Sequence, residues 1–249
     1  MTKPVAVVTG GGSGLGLATV RRLVHDGWDV AVLELDDAAS ARAQEEIPGL
    51  IAVHCDVRDA ASVDEAFVRI ARSHPRIDAL ICAAGVLRVG ALAEMEVEEF
   101  DLVFDVNVRG SWLAVKAAVP MLRDAQGGSG GSIVLLASIA ALRHRINSGA
   151  YAASKSAVAT LCRVLAAELA PSGIRINAIA PGTVDTPMTH GHFAPVSDGG
   201  YRANAPAPLG RYTSQEDVAG AVAFLLGPDA GFISGAVIPV DGATSAALR

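Results

Sequence analysis

Seven short apolar runs, spaced by longer amphipathic segments, constrain the fold of this chain more than any other feature. The runs fall at 5–9, 30–34, 50–54, 78–82, 133–137, 174–178 and 237–240. Between them, helical periodicity is read at about 14–25, 37–46, 60–73, 98–123, 151–169 and 215–226. A run such as Val5-Ala6-Val7-Val8 shows no polar alternation, so neither of its faces is expected to meet water. Strands buried on both faces and separated by helices belong to a parallel sheet with helices packed on each side. Right-handed crossovers then wind the chain in both directions from a central strand. The expectation is α/β: a doubly wound Rossmann fold with a seven-stranded parallel sheet flanked by helices.

Composition supports a large core. Hydrophobic residues make up 51% of the 249 residues, charged residues 18%, and the mean hydropathy is +0.39. That excludes disorder, which needs low hydrophobicity and high charge. No internal repeat or linker separates two cores, so a single domain over 1–249 is expected, with a Pro- and Gly-rich substrate loop near 183–213. Gly127-Gly128-Ser129-Gly130-Gly131 reads as a flexible connection and nothing more. No apolar stretch approaches the ~18 residues of a membrane span, and the start lacks a secretory pattern. A cytoplasmic location with no membrane partner is therefore expected. A net charge of −6 and a pI of about 5.5 leave no basic face for nucleic acid. Cys55, Cys82 and Cys162 have no metal or disulfide spacing and read as buried free thiols. His190 and His192 lack a third ligand, so no metal site is expected.

Two clusters of residues carry chemistry. The first is the glycine turn after the first strand, with Gly10, Ser13, Gly14, Leu15 and Gly16. Such a turn lets a backbone approach a pyrophosphate and aims a helix N-terminus at it; alone, it also fits a tight loop without ligand. Glu34 ends the second strand, 24 residues after Gly10. A carboxylate there accepts from both adenosine ribose hydroxyls and repels a 2′-phosphate. With Ser13 in the turn and no base at Leu35 or Asp36, the pattern favours NAD over NADP; a solvated strand-end carboxylate is the alternative. Asp56 either accepts from the adenine amino group or caps a turn. Ala83, Ala84 and Gly85 let a ribose lie against the backbone.

The second cluster is Tyr151 and Lys155, four apart on one helical face, with Ser138 at the end of the fifth strand, 13 residues before the tyrosine. An ammonium beside a phenol stabilises the phenolate and makes it a proton donor and acceptor near neutral pH. Ser138 sits at the carboxyl edge of the sheet, where ligands bind, and its hydroxyl suits a substrate oxygen. Taken alone, Tyr-x-x-x-Lys also describes a packed tyrosine and an exposed lysine.

With the order Thr9-Gly10-x-x-x-Gly14-x-Gly16, Asp56-Val57, Ala83-Ala84-Gly85, Asn107-Val-x-Gly110, Ser138, Tyr151-Ala-Ala-Ser-Lys155 and Pro181-Gly182, the chain resembles the short-chain dehydrogenase/reductase family over Thr9 to Gly242. The resemblance implies an NAD-dependent hydride transfer between a secondary alcohol or cyclic diol and its ketone. Tyr151 would be the acid/base. Lys155 would lower its pKa and hold the nicotinamide ribose. Ser138 would orient the substrate oxygen. Asn107 would hold a water linking Lys155 to solvent. Pro181, Gly182, Val184 and Thr186 would line the nicotinamide, and Val57 would also belong to the cofactor site. It also implies a homotetramer through the helices near 98–123 and 151–169. The family often carries Asn-Asn-Ala-Gly where this chain has Cys82-Ala83-Ala84-Gly85, which puts a sheet-bracing contact in doubt.

Substrate residues are expected at Val86, Leu87, Ile139, Ala140, Leu142, Ile146, Met188 and Phe193, with Arg88, His144 and Arg145 as the polar exceptions among them. The segments around Arg88 and Arg145 are similar to those of dihydrodihydroxybenzoate dehydrogenases, which suggests a substrate carboxylate on an arginine. The other reading has both arginines facing solvent or a subunit neighbour. Two further classes compete. A non-catalytic NAD sensor should lack the serine, tyrosine or lysine, and all are present. A sugar-nucleotide epimerase should bring a different glycine spacing and a C-terminal substrate domain, and neither is found.

Overall fold

In the computed structural model the described residues are 3–123, 130–184, 186 and 206–247. Among them, β1 (Val5–Thr9), β2 (Asp29–Glu34), β3 (Ile51–His54), β4 (Ala79–Cys82), β5 (Ser132–Leu136), β6 (Arg175–Pro181) and β7 (Val237–Val240) form one sheet in the order β3-β2-β1-β4-β5-β6-β7. Every neighbouring pair is parallel. The order reverses direction between β1 and β4, so their carboxyl ends open a crevice at the centre of the sheet.

Helices α1 (Gly14–His25), α2 (Asp37–Glu46), α3 (Ala60–Ala71), α4 (Val97–Phe104), α5 (Ser111–Arg123), α6 (Gly149–Leu169) and α7 (Gln215–Leu226) connect the strands. Alternate strand residues feed two cores. Val7, Leu33, Leu80, Ile133 and Ile176 pack with Phe67, Ile70, Leu122 and Val158 of α3, α5 and α6. Val8, Val32, Ile81, Val134 and Ile179 pack with Val20, Leu23, Val222 and Leu225 of α1 and α7. Each of these large side chains contributes about 1.5–3 kcal/mol by leaving water. Helix starts are marked locally. Asp36 accepts from Ala38 and Ala39 amides at α2, and Ser214 and Asp217 form a reciprocal capping box at α7. Among the described residues, no helix is long and apolar enough to cross a membrane.

Three local readings are corrected. The expected helix over 98–123 is two α-helices joined by a π-helical segment, Asp105–Gly110. Asn107 lies inside that segment, and its amide is pinned to the backbone of Val86 in both directions, at 2.9 and 3.1 Å. The wider turn keeps this side chain facing the β4 loop, a local device common at functional sites. Strand β6 runs on to Pro181, past the expected end at 178, with Pro181 in register with Val240. Ser138 does not end β5; it follows it and caps a short 3₁₀ turn by accepting from the Ala140 amide at 3.1 Å. The residues Met188, His190, His192 and Phe193, and most of the glycine stretch at 127–131, lie outside the described residues.

Candidate active site

The cleft above the central strands begins at the glycine turn. Gly10 has φ +65°, and a Cβ there would sit 2.7 Å from the Ala84 Cα. A Cβ on Gly16 would sit 2.0 Å from the Gly10 carbonyl oxygen. Both positions therefore require glycine, and the turn lies flat against the β4 loop. Ser13 precedes α1 but its side chain makes no capping bond, so the helix start is not closed by its own cap. An anion placed there meets N–H groups and the positive end of the helix.

Glu34 is fixed at the next wall. Its Oε2 accepts from the Gly12 amide at 3.0 Å, and its Oε1 accepts from Leu35 and Asp36 amides at 2.9 and 3.2 Å. Three backbone donors thus hold an acceptor at the cleft rim, which suits ribose hydroxyls and disfavours a phosphate. Asp56 also lines the cleft, and its carboxylate is gripped by Arg58 through Nε at 2.9 Å and Nη2 at 2.6 Å. Side-chain hydrogen bonds from Arg58 hold the Asp56 pKa below the usual carboxylate value. Asp56 is therefore a turn residue that faces the cleft, while Asp59 caps α3.

Every residue expected to touch the cofactor lines this one cleft: Gly10, Ser13, Gly14, Leu15, Gly16, Glu34, Asp56, Val57, Ala83, Ala84, Gly85, Tyr151, Lys155, Pro181, Gly182, Val184 and Thr186. Ser138 lines it as well. The glycine turn, the helix start and the fixed acceptor at Glu34 fit a dinucleotide. Cleft residues that sequence reasoning passed over include Arg58, Leu102, Val106 and Leu136. Arg58 carries the one available signal, standing two residues from an aspartate in a turn.

Lys155 is buried, and its Nζ donates to the Leu136 carbonyl at 2.7 Å. The same nitrogen lies 5.8 Å from the centre of the Tyr151 ring. Burial lowers the Lys155 pKa to about 8, so at pH 7 it is still an ammonium, in a ratio of roughly ten to one. A buried cation beside a phenol favours the phenolate, and Tyr151, half-buried, lines the same cleft as Ser138.

Asn107 stands behind the cleft wall rather than on it. Its Nδ2 also donates to Ser154 Oγ at 3.0 Å, and Ser154 Oγ donates to the Tyr151 carbonyl at 2.7 Å. Both amide hydrogens of Asn107 are thus spent on Val86 and Ser154, so a water on this residue would meet its backbone carbonyl, which accepts from Ser111 Oγ at 2.8 Å.

The expected substrate residues sit differently. Ile139 is buried beside Ser138 but does not line the cleft. Arg88 donates to the Leu87 carbonyl at 2.9 Å and lies 3.7 Å from Glu99, outside the cleft. Arg145 is half-buried, and its backbone amide and carbonyl both bond to Ser148 Oγ. Ile146, expected near the reacting centre, is 86% exposed.

A family model described as enoyl-(acyl carrier protein) reductase matches residues 10–244. The 3-oxoacyl-[acyl-carrier-protein] reductase MabA of Mycobacterium tuberculosis is 35% identical over 236 residues, 95% of this chain and 90% of that protein. The cis-4-hydroxycyclohexanecarboxylate dehydrogenase of Sinomonas cyclohexanicum is 38% identical over 248 residues, covering 97% and 96%. The crystal structure of a 3-ketoacyl-(acyl-carrier-protein) reductase from Brucella melitensis, complexed with NADH, superposes with a TM-score of 0.87 at 33% identity, covering 97% of this chain and 98% of that one. The chain belongs to the short-chain dehydrogenase/reductase family. It is an oxidoreductase of that family, with the family's fold around a nicotinamide cofactor site.

Against that family, the departure at 82–85 has a local explanation. Thr9 braces the β4 loop in place of asparagine: its carbonyl accepts from the Ala83 amide at 3.1 Å and its Oγ1 from the Ala84 amide at 3.2 Å. Cys82 is a buried filler whose Sγ faces the Ser111 carbonyl at 3.8 Å, and burial pushes its thiol pKa up to about 12.

Proposed function

We propose that this short-chain dehydrogenase/reductase uses NAD to interconvert a secondary or cyclic alcohol and its ketone, with Tyr151 as acid/base. The observation that carries the reading is the convergence of Ser138, Tyr151 and Lys155 on the cleft that also holds the glycine turn and Glu34. Ser138 holds the substrate oxygen and Tyr151 takes or returns its proton. Lys155 keeps positive charge beside the phenol and holds the cofactor ribose. Bound NAD supplies the hydride acceptor, which is the cofactor's own chemistry. Glu34 selects NAD, because a 2′-phosphate would meet a fixed carboxylate instead of a base.

A ring alcohol bearing a carboxylate, the 2,3-dihydro-2,3-dihydroxybenzoate type included, is the second reading. It is supported by the relative from Sinomonas cyclohexanicum, whose named substrate is a ring alcohol with a carboxylate, and by Arg145 on the segment joining Ser138 to Tyr151. The proposal further includes one domain working as a cytoplasmic homotetramer. The apolar hollow between Phe104, Val108, Trp112 and Leu161 supports a subunit contact there.

The test is NADH formation from a panel of secondary alcohols and cyclic diols, with and without a carboxylate, repeated with NADP and with Glu34→Ala. The native protein should prefer NAD, and Glu34→Ala should narrow that preference by about tenfold or more, the loss of one well-placed polar contact. Better turnover with NADP in the native protein would overturn the cofactor assignment.

A further inference from the structure

Arg143 makes a contact that spans the chain. It follows the catalytic serine by five residues, on the segment that joins Ser138 to α6. Its Nη1 donates to the Thr244 carbonyl at 2.8 Å and to the Ala247 carbonyl at 2.6 Å. Those carbonyls belong to a run of turns after β7, with no strand or helix among its described residues. Its start is tight: the buried Asp241 carboxylate accepts from the Ala243 and Ser245 amides at 3.0 and 2.7 Å. Its later carbonyls, at Thr244 and Ala247, point to the guanidinium, a strong multiple donor for such groups.

The start of this segment packs directly behind one residue of the cleft wall. Gly182 lines the cleft, and a Cβ on it would lie 2.9 Å from the Asp241 Cα. The Gly242 carbonyl accepts from the Leu209 amide at 3.3 Å, which ties in the chain that returns to α7. The wall residue Gly182 and the segment that follows Ser138 are therefore linked, behind the cleft, through residues 241–247 and Arg143.

We propose that Arg143 is a positioning residue for substrate selection: it latches residues 241–247 to the segment between Ser138 and Tyr151, and so sets the shape of the cleft where the alcohol binds. The proposal rests on the alcohol dehydrogenase reading above. It places no group on the cofactor, so its effect belongs in KM for the alcohol and not in cofactor affinity.

Two variants remove the latch from opposite sides. Arg143→Ala removes the donor, and a chain ending at Ala243 removes both acceptors. NADH affinity, followed by fluorescence titration, should stay within about twofold of native in both. KM for a cyclic secondary alcohol should rise by about tenfold or more with kcat little changed. The combined variant should be no worse than the truncated chain alone, because the truncation already removes both acceptors of Arg143. Arg143→Lys should recover part of the loss, since one nitrogen makes both bonds. Hydrogen exchange at amides 139–148 should accelerate in both variants, whether or not a substrate is known. Additive losses, an unchanged KM, or unchanged exchange at 139–148 would overturn the latch. A native protein that oxidises no alcohol would overturn the activity reading, and the exchange result would still decide the latch.

Discussion

Replacing Lys155 with Met should make the protein inactive and more stable at neutral pH. The unfolded lysine titrates near 10.5, and burial brings the folded one down to about 8. At about 1.4 kcal/mol per pH unit, burying this ammonium costs about 3 kcal/mol at pH 7. Methionine fills similar volume without charge, but it abandons the hydrogen bond to the Leu136 carbonyl, worth about 1 kcal/mol. The net gain is about 2 kcal/mol, or roughly 0.7 M in the urea midpoint at a slope of about 3 kcal/mol/M. The pH dependence gives the sharper signature. Below pH 8 the lysine is protonated in both states and carries the full penalty. Between pH 8 and 10.5 the native state has released the proton and the unfolded state still holds it, so native stability rises with pH. The advantage of the Met variant should therefore shrink to near zero by about pH 10. Urea melts of both proteins at fixed protein concentration, at pH 7 and pH 10, would show it. A Met variant less stable than native at pH 7, or a gap that does not change with pH, would refute the assignment of a buried, strained cation.

Two further outcomes follow from buried groups. Burial raises the thiol pKa of Cys55 and Cys162 to about 11 and of Cys82 to about 12, so a thiol reagent at pH 8 should label none of the three until the protein unfolds; fast labelling of the native protein would contradict their burial. Asn177 is fully buried, donating to the Ile233 carbonyl at 2.8 Å and accepting from the Ala236 amide at 3.0 Å, so Asn177→Ala should lower stability by about 2–3 kcal/mol by urea titration, the cost of two buried groups left unpaired.

Much of this architecture is legible without coordinates, and the exceptions share a cause. The helices at 37–46 and 215–226 have their observed bounds in the sequence because a capping side chain marks each start, and the strand at 237–240 because its short apolar run does. The glycine turn reads as a cofactor site because two of its glycines are demanded by backbone approach, and that demand leaves a spacing in the chain. The π segment at Asp105–Gly110 is different. Periodicity runs through it unbroken, and what reshapes it is a bond from Asn107 to a loop 21 residues away. Arg143 is hidden for the same reason. A lone arginine on a polar stretch has no periodic signature, and its partner is set by tertiary packing, over 100 residues distant for Arg143. Arg88 shows the converse: a suggestive position in the motif order, yet a side chain turned toward Glu99.

The central claim is that Tyr151 moves the proton in an NAD-linked alcohol oxidation, and Tyr151→Phe tests it most directly. The substitution removes one oxygen from a half-buried ring and leaves the glycine turn, Glu34 and Lys155 in place. Steady-state NADH production with the best secondary alcohol should fall by about 10²-fold or more, the contribution typical of a positioned acid/base, while NADH still binds with near-native affinity. Turnover that survives in the Phe variant at a comparable rate would contradict the account.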